Sequence, residues 1–523
     1  MSALAELHAA IRAGSPNARL ERPAKVEFGD YSSNAALLVA KRSGRPPREV
    51  AEELALSLRG HPGVERVEIA GAGFLNIFLG DDWYAAALEG ALADPGFGGG
   101  GCGAAARERI DIEFVSANPT GPLTVAHGRH AAYGDSLARI LAFHGHEVTR
   151  EFYVNDYGSQ VQRLGESVRA HALGEPVADD GYKGDYVAGL VSAERARALS
   201  VEEAAAEAVQ ACLARIRATL ERFGVGFDVW FSERSLHDSG AAAAALDALG
   251  DAVYRHEGAL WLRTTALGDD KDRVLERSSG EHTYFASDIA YHQDKLARRY
   301  GRLIDIFGAD HHGYVRRLRA AFELLGGSPD ALELVILQFV HLVTSGERAA
   351  MSKRAGEFVT LDELLEQIGA DAARFFLLQR SHETTVELDL DLAVRESSEN
   401  PVYYVQYAHA RIASMLARAS GGSGGGGSGA GGMPVGALHP SERALIARVL
   451  AFPGEVCEAA ERRAPHRIAA YALELAQDFT AFYRDCRVVG SEQEAFRLDE
   501  CRAAQRTIAA ALELLGVSAP QEM

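Results

Sequence analysis

This sequence of 523 residues contains little cysteine and no long apolar run. Its five cysteines are an odd number, lie far apart and form no Cys-x-x-Cys pair, which argues against a disulfide framework and a structural zinc site. No run of about 20 apolar residues is present, so we expect no membrane-spanning helix. The first residues, Met1 to Glu6, show no basic segment before an apolar core. We therefore expect a cytoplasmic protein with reduced thiols.

Basic residues are scarce as well. The chain has 54 Lys and Arg against 73 Asp and Glu, a net charge of −19. A nucleic-acid-binding protein needs a basic surface, because phosphate contacts provide most of its affinity. The overall charge therefore counts modestly against nucleic-acid binding. A basic face on an acidic protein would still suffice, because binding depends on the local electrostatic field.

The two ends of the chain have different patterns. Residues 1–95 combine helical periodicity with alternating strands and predict a small α/β domain, followed by a Gly-rich linker at 97–103. Residues 396–523 show helical patterns, interrupted by a Ser/Gly-rich stretch at 420–432 that predicts a flexible surface loop. An all-helical C-terminal domain is therefore expected.

The middle of the chain, residues 105–395, alternates strand, loop and helix. This pattern predicts an α/β domain with a doubly wound parallel sheet of the Rossmann type. An Ala/Glu-rich stretch at about 156–245 predicts a helical insertion into this domain. Because ligands of such sheets bind beyond the carboxyl ends of the strands, we expect the functional residues in the loops that follow the strands.

Two segments carry residues suited to chemistry on a nucleotide. Residues 113–127, Glu-Phe-Val-Ser-Ala-Asn-Pro-Thr-Gly-Pro-Leu-Thr-Val-Ala-His, run from a strand through a Pro/Gly turn to a helix start. There the backbone N–H groups, the helix dipole and His127 favour a phosphate. In residues 350–354, Ala-Met-Ser-Lys-Arg, Lys353 can pair with phosphate oxygens. Each segment alone is more typical of an ordinary helix start or a surface loop.

Together the two segments resemble the nucleotide-binding signatures of class I aminoacyl-tRNA synthetases, and their surroundings are similar to those of arginyl-tRNA synthetases. The resemblance places Thr124, Ala126 and His127 on the family's His-x-Gly-His motif, with Thr124 at the first histidine and Ala126 at the glycine. It places Lys353 at the end of the Lys-Met-Ser-Lys loop, with Ala350 at the first lysine. The implied catalytic residues are His127, Lys353 and Thr124.

The resemblance also implies two sets of substrate-binding residues. The residues implied for arginine are Glu113, Ser116, Asn118, Tyr284 and Asp288. The residues implied for ATP are His127, Gly308, Asp310, His311, Met351, Ser352 and Lys353. Paired carboxylates suit a planar guanidinium on chemical grounds alone. Without the other motifs, Asp288 would be more typical of the N-cap of a helix, because Ser287-Asp288 precedes a run of apolar periodicity.

The implied activity is the formation of arginyl-adenylate from L-arginine and ATP, with Mg²⁺ carried by the ATP. Arginine is then transferred to the 3′-terminal adenosine of tRNA(Arg), and AMP and pyrophosphate are released. The resemblance further implies a monomer without membrane contact, an N-terminal domain at the tRNA elbow and a helical domain at the anticodon. Tyr403 and Tyr407 would suit base stacking there, but their i, i+4 spacing favours core packing.

Two other functions stay open. The replacements at Thr124, Ala126 and Ala350 are compatible with a relative of lowered activity that binds tRNA or arginine. A metal-dependent hydrolase is the second alternative, because histidines at helical spacing are common metal ligands. The histidines concerned are His127, His130, His311 and His312. No acidic partner accompanies them at the spacing of His-Glu-x-x-His, so the sequence predicts no metal site.

Overall fold

The structure is a computed structural model that describes residues 3–13, 15–23, 25–348, 359–422 and 434–523. An N-terminal α/β domain comes first. Its elements are α1 (Ala3–Arg12), β1 (Leu20–Glu21), β2 (Tyr31–Ser33), α2 (Ala35–Ser43), α3 (Pro47–Arg59), β3 (Val64–Ala70), β4 (Phe74–Leu79) and α4 (Asp81–Ala93). The strands form an antiparallel sheet in the order β1-β2-β4-β3. Leu75 and Ile77 of β4 are fully buried beneath the helices.

The second domain contains the parallel sheet that the sequence predicts. Its strands are β5 (Arg109–Glu113), β6 (Glu147–Val154), β7 (Val229–Ser232), β8 (Val253–His256), β9 (Ala259–Leu262), β10 (Arg273–Glu276), β11 (Arg302–Gly308), β12 (Leu332–Leu337), β13 (Val340–Thr344), β14 (Glu347–Arg348) and β15 (Val386–Asp389). Five of them pair in parallel in the order β12-β11-β5-β6-β7. Ile110, Ile112 and Ile304 in its centre are fully buried, as expected for a parallel sheet covered on both faces. The predicted fold class is confirmed.

Ten helices described in this domain surround its sheets. They are α5 (Val125–His144), α6 (Ser159–Leu173), α7 (Ala193–Ala198), α8 (Val201–Arg222), α9 (Glu233–Asp238), α10 (Ala241–Ala248), α11 (Tyr284–Ala297), α12 (Val315–Leu324), α13 (Leu361–Leu378) and α14 (Leu390–Ala393). Arg129 fixes the position of α5. Its buried guanidinium donates to the carbonyls of Gln338, Phe339, Ser381 and Thr384. These bonds join α5 to the two connecting segments at 338–339 and 381–384.

The predicted helical insertion at about 156–245 contains one strand that the sequence did not indicate. Helices α6 to α10 occupy this stretch, but β7, between α8 and α9, extends the parallel sheet at its edge and pairs with β6. The strand has four residues, Val229–Ser232, between helical segments. So short a run gives little periodicity, and its assignment depends on pairing with a strand that ends 75 residues earlier. The sequence pattern also missed the antiparallel sheet of β8, β9 and β10.

The Gly-rich segment 97–103 connects the first two domains but is packed. The Gly100 N–H donates to Phe143 O and the Cys102 N–H to His144 O, each at 2.8 Å. A Cβ placed on Gly98, whose φ is +97°, would lie 2.4 Å from the ring of Phe452. The glycines therefore permit close contact between the second and third domains. The segment does not form a freely flexible linker.

The C-terminal domain is a helical bundle, as expected. Its helices are α15 (Pro401–Gly422), α16 (Pro440–Glu461), α17 (Pro465–Asp485) and α18 (Glu494–Leu515). Arg374 of α13 joins this bundle to the sheet domain, donating to Asp135 Oδ2 at 2.6 Å and to Leu515 O at 2.7 Å. Most of the Ser/Gly-rich stretch, residues 423–432, lies outside the described residues. Within the described ranges, no helix has the length and apolarity needed to cross a membrane.

Candidate active site

The chain turns sharply where β5 ends. Val115 and Ser116 have φ values of 67° and 39°, a region that non-glycine residues enter at a cost. Two hydrogen bonds hold the turn: Ser116 Oγ donates to Glu113 Oε1 at 2.9 Å and accepts the Tyr153 N–H at 3.1 Å. Glu113 and Ser116, both predicted arginine ligands, are therefore in direct contact with each other and with β6.

The other oxygen of Glu113 accepts a bond from a lysine that the sequence did not indicate. Lys295 of α11 is fully buried, with its Nζ 2.7 Å from Glu113 Oε2, 2.7 Å from Asp305 Oδ1 and 3.6 Å from Asp111 Oδ2. Burial opposes the charge of Lys295, but Asp305, Glu113 and Asp111 outweigh it and raise its pKa well above the ordinary value. Lys295 thus neutralises part of the charge of the predicted pocket.

Two more cations, the buried His292 and the partly exposed Arg298, are matched to carboxylates. His292 Nε2 lies 2.9 Å from Asp305 Oδ2 and His292 Nδ1 lies 2.8 Å from the Asp288 carbonyl. Since both ring nitrogens face acceptors, the ring is protonated. Burial opposes this, yet Asp305 raises the pKa of His292. Arg298 pairs with Glu151, which also accepts the Tyr291 hydroxyl at 2.6 Å.

Asp288 has no cation among these partners. It lies inside α11, whose N-cap is Thr283, so the N-cap interpretation of Asp288 is wrong. The Tyr314 hydroxyl donates to Asp288 Oδ2. Burial raises the pKa of Asp288 to about 8, and the nearby Glu113 and Glu233 add to the effect. Tyr284, one helical turn earlier and 52% exposed, is accessible on the same face of α11.

Glu233 is a further buried carboxylate that sequence reasoning missed. It is the first residue of α9, directly after β7, and is 3% exposed. Its Oε2 has no hydrogen-bond partner among the described residues, and burial raises its pKa to about 7. Recognition of β7 in the sequence would have indicated Glu233, because a carboxylate just after a parallel strand lies at the ligand-binding edge of the sheet.

Asn118 lies beside the exit of β6. Its Nδ2 donates to Gln160 Oε1 at 2.8 Å, and its Oδ1 accepts from Asn155 Nδ2 at 2.8 Å. This amide chain orients Asn118 at the same carboxyl edge of the sheet as Glu113. The predicted arginine-binding residues on β5 and on the loop after it are thus gathered at one edge, with α11 contributing Asp288 close by.

Thr124 and His127 form the N-terminus of α5. Thr124 is its N-cap, and the Thr124 N–H donates to His127 Nδ1 at 3.0 Å, while Thr124 Oγ1 lies 3.1 Å from the same nitrogen. A backbone N–H can donate only to an unprotonated ring nitrogen, so neutral His127 carries its proton on Nε2. Thr124, predicted as a catalytic residue, contacts His127 and sets its tautomer.

Met351, Ser352 and Lys353 lie outside the described residues. Residues 359–361 are described and are hydrogen-bonded to the start of α5: the Val125 N–H donates to Val359 O at 3.3 Å and the Leu361 N–H to Leu123 O at 2.8 Å. Thr360 pairs with Thr124 in an antiparallel bridge. Residues 359–361 are therefore in contact with the helix start that carries His127.

The predicted ATP residues of β11 lie at its carboxyl end. A Cβ on Gly308 would be 2.6 Å from Asp310 Oδ1 and 3.7 Å from His130 Nε2, so the glycine allows a close approach. His311 stacks on Phe307 with ring centroids 5.5 Å apart. Burial, with the charge of Arg129, lowers the pKa of His130 to about 3. A neutral His130 next to Gly308 is a further residue whose location the sequence did not reveal.

The histidines of the proposed hydrolase do not form a metal-binding group in the part of the chain that is described. The group found there is Cys102, His144 and His146, with ligand atoms within 4.8 Å of one another. His146 Nδ1 already accepts the Glu108 N–H at 3.2 Å, and His144 Nδ1 lies 3.4 Å from His146 Nε2. His144 ends α5 while His127 begins it, so this group is roughly 26 Å from the predicted site at 1.5 Å per residue.

A parallel sheet with carboxylates at its carboxyl edge, and with a histidine at the start of the helix that follows its central strand, fits the class I aminoacyl-tRNA synthetases. Profiles described as arginyl tRNA synthetase N terminal domain, tRNA synthetases class I (R) catalytic domain and DALR anticodon binding domain match residues 2–79, 98–176 and 405–523. The chain belongs to the arginyl-tRNA synthetase family.

Individual relatives support this membership over nearly the whole chain. The arginine–tRNA ligase of Geobacillus kaustophilus is 44% identical, with 98% of this chain and 97% of that one covered. The arginine–tRNA ligase of Bacillus subtilis is 42% identical, with 97% and 95% covered. The solved structure of Thermus thermophilus arginyl-tRNA synthetase gives a TM-score of 0.80 at 25% identity and covers 99% of this chain and 100% of that chain. The family resemblance expected from the sequence is confirmed.

Proposed function

We propose that this chain is an active arginine–tRNA ligase in which Asp288 and the surrounding carboxylates bind the guanidinium of L-arginine. The observation that carries the proposal is the charge balance of the pocket. Lys295, His292 and Arg298 are paired with Glu113, Asp305 and Glu151, and Lys295 also lies 3.6 Å from Asp111. Among the described residues no cation pairs with Asp288, which accepts the Tyr314 hydroxyl. A partly buried carboxylate without a cation is costly, and a guanidinium supplies two aligned donors that remove the cost.

The reaction needs the carboxylate of arginine and the α-phosphate of ATP to meet at the carboxyl edge of the parallel sheet. The arginine carboxylate attacks the α-phosphorus of ATP and pyrophosphate leaves; the arginyl group is then transferred to the 3′-terminal adenosine of tRNA(Arg), releasing AMP. Asn118 and Ser116 would hold the arginine backbone groups, with Tyr284 beside its side chain. Gly308, Asp310 and His311 would line the adenosine site. Mg²⁺ enters with ATP, and no residue is assigned to it.

Charge that develops on the phosphates would be met from two directions. His127 Nε2–H and the positive end of the α5 dipole would stabilise this charge without rearrangement. Lys353 would supply the opposing positive charge; it is six residues before Val359, and a chain of that length spans at most about 20 Å. Met351 and Ser352 would belong to the same loop. Thr124 acts through His127.

The tRNA would approach along the helical bundle. A groove of about 660 Å³ between α15 and α17 is lined by Tyr407, Arg411, Arg418, Tyr483 and Arg487, among others. The Arg411 guanidinium lies 4.7 Å from the Tyr407 ring and 5.1 Å from the Tyr483 ring. Tyr407 is 38% exposed, so its predicted core packing is wrong. Aromatics with arginines suit unpaired bases, and the groove gives this acidic chain a local basic surface.

The decisive experiment is arginine-dependent exchange of labelled pyrophosphate into ATP, with and without tRNA(Arg), followed by charging of the tRNA. We expect exchange that requires arginine and is stimulated by tRNA. Background exchange together with tight tRNA binding would favour the alternative of a tRNA-binding relative of lowered activity, for which Thr124, Ala126 and Ala350 are the motivation. We further propose a monomeric, cytoplasmic enzyme whose N-terminal domain contacts the tRNA elbow. The molecular mass of the enzyme in solution under assay conditions tests whether it is a monomer.

A further inference from the structure

The insertion that follows β6 contacts the turn that leads into α5. The hydroxyl of Tyr186, in the connection between α6 and α7, donates to the carbonyl of Thr120 at 2.7 Å. Thr120 is 8% exposed, and it lies between the turn at Ser116 and the helix start at Thr124. A tyrosine 66 residues further along the chain is therefore bonded directly to the segment that precedes His127.

This segment has few backbone donors with which to hold itself. Residues 119–122 read Pro-Thr-Gly-Pro, and proline has no N–H. At the far end of the segment, the antiparallel bridge to Thr360 fixes Thr124. The bond from Tyr186 to Thr120 fixes the near end. The chain that enters α5 is thus held at two points, and one of them depends on a single hydroxyl group.

Tyr186 is itself held in place by the insertion. Val187, next to it, is fully buried, and Arg215 of α8 donates to the Gly189 carbonyl at 2.8 Å. A Cβ on Gly184 would lie 2.7 Å from the Tyr186 ring, so the glycine lets the ring lie against the backbone. Because these contacts fix the ring, its hydroxyl is a preorganised donor and not a mobile surface group.

The same insertion also contacts the chain on the other side of the bridge between Thr124 and Thr360. Thr219 Oγ1 of α8 donates to Asp362 Oδ2 at 2.8 Å, and the Arg222 guanidinium donates to Asp362 Oδ1 at 3.0 Å. Asp362 lies in the first turn of α13, whose N-cap is Thr360. The insertion is therefore hydrogen-bonded to both strands of chain that meet at the start of α5.

We propose that Tyr186 is a positioning residue for arginine activation: its hydroxyl holds the Thr120 carbonyl and thereby sets the position of Thr124 and His127 at the start of α5. The proposal rests on the proposed function, because that function assigns His127 to the phosphates of ATP. Tyr186 itself touches no substrate. Its loss should cost rate, since a catalytic group that is slightly misplaced loses much of its effect.

The test uses the full-length enzyme with Tyr186→Phe, which keeps the ring and removes only the hydroxyl. In pyrophosphate exchange we expect kcat to fall by about fivefold or more, because a misplacement of 1 Å can cost about 100-fold. KM for arginine and for ATP should stay within about twofold, as for an interaction that acts mainly in the transition state.

The matched control is Tyr471→Phe. The Tyr471 hydroxyl also donates to a backbone carbonyl, that of Arg448 at 2.8 Å, but it does so inside the helical bundle. Its loss should lower the melting temperature and leave kcat unchanged, as for a bond that contributes to stability alone.

Gly121→Ala tests the same contact from the side of the turn. A Cβ on Gly121 would lie 3.2 Å from the Tyr186 hydroxyl, so the methyl group should push the hydroxyl away from Thr120. We expect the single variant to lower kcat, and to add little to the loss in Tyr186→Phe, where the hydroxyl is already absent.

An unchanged kcat in Tyr186→Phe, an equal loss of kcat in Tyr471→Phe, or additive losses in the double variant Gly121→Ala, Tyr186→Phe would each overturn the proposal. Exchange by the wild type separates this inference from the proposed function. If the wild type shows no exchange, the two fail together. If the wild type exchanges and Tyr186→Phe matches it, this inference alone fails.

Discussion

The Nζ of Lys295 lies 2.7 Å from Glu113 Oε2, and neither side chain has more than 11% of its surface exposed. The bond joins α11 to the end of β5 beneath the predicted arginine site. It uses the second oxygen of Glu113, because the first accepts the Ser116 hydroxyl. Glu113 is thus fixed by the fold, and its orientation is set before any substrate arrives.

Lys295→Met should therefore destabilise the protein strongly. Removing the cation leaves Glu113, Asp305 and Asp111 as buried, uncompensated acids, which costs about 3–5 kcal/mol for a broken buried pair. Denaturant unfolding measures this loss. The control, Lys271→Met on the surface, should change the midpoint little. An unaltered midpoint in Lys295→Met would show that the three acids are neutral in the folded protein.

Asp288→Asn should weaken arginine binding far more than ATP binding. The neutral amide cannot pair with a guanidinium, and a lost charged hydrogen bond costs about 1.5–3 kcal/mol, or roughly 10- to 100-fold in KM. Pyrophosphate exchange at varied arginine and varied ATP measures both constants. Asp294→Asn on the same helix, at a partly exposed pair with Arg298, serves as the control. Equal damage to both constants would move Asp288 out of the arginine pocket.

Lys353→Ala should lower the rate of activation with little change in KM for arginine or ATP. A lysine that meets charge developing on the phosphates contributes mainly in the transition state. We expect kcat of exchange to fall by about 100-fold or more, as for other preorganised charged donors. Lys183→Ala, in the surface loop after α6, is the control. A raised KM for ATP at constant kcat would instead indicate ground-state binding.

Thr124→Val should impair activation through His127. The substitution keeps the shape but removes the hydroxyl that lies 3.1 Å from His127 Nδ1 and caps α5. We expect a stability loss of about 1 kcal/mol for the cap and a lower kcat of exchange. The counterpart Thr360→Val removes the equivalent cap of α13 without touching a histidine. If both variants lose kcat equally, the effect is one of helix capping.

The stability of the free enzyme should depend on pH through Asp288. Burial raises its pKa to about 8 in the folded state, above the value of about 3.9 in an unfolded chain. Between these two pKa values the folded state holds a proton on Asp288 that the unfolded state has released. The contribution of this proton to the free energy of unfolding is complete below pH 4 and is lost as pH rises toward 8. Relative to Asp288→Asn, the wild type should lose free energy of unfolding between pH 5 and 8 in denaturant titrations. A constant difference would mean that Asp288 is ionised throughout.

Local patterns were enough for part of this structure. The turn at Pro119 to Pro122 and the helix start at His127 were evident because caps, turns and short motifs are encoded by neighbouring residues. The strand β7 and the carboxylate Glu233 after it were not, since four residues acquire a strand identity only by pairing with β6. Tyr407 was expected in the core because its spacing fits one, yet only the packing of α15 against α17 decides which face is covered.

The sequence by itself determined the parallel-sheet class, the helical C-terminal domain and the chemical nature of the residues at the strand ends, because periodicity and motif spacing are local properties. The tertiary structure alone decided which charges meet. Lys295 and Glu113 are 182 residues apart along the chain, and Glu233 and Asp288 come from different helices. Electrostatic energy depends on distances of a few Å in a poorly solvated interior, and no one-dimensional pattern records those distances.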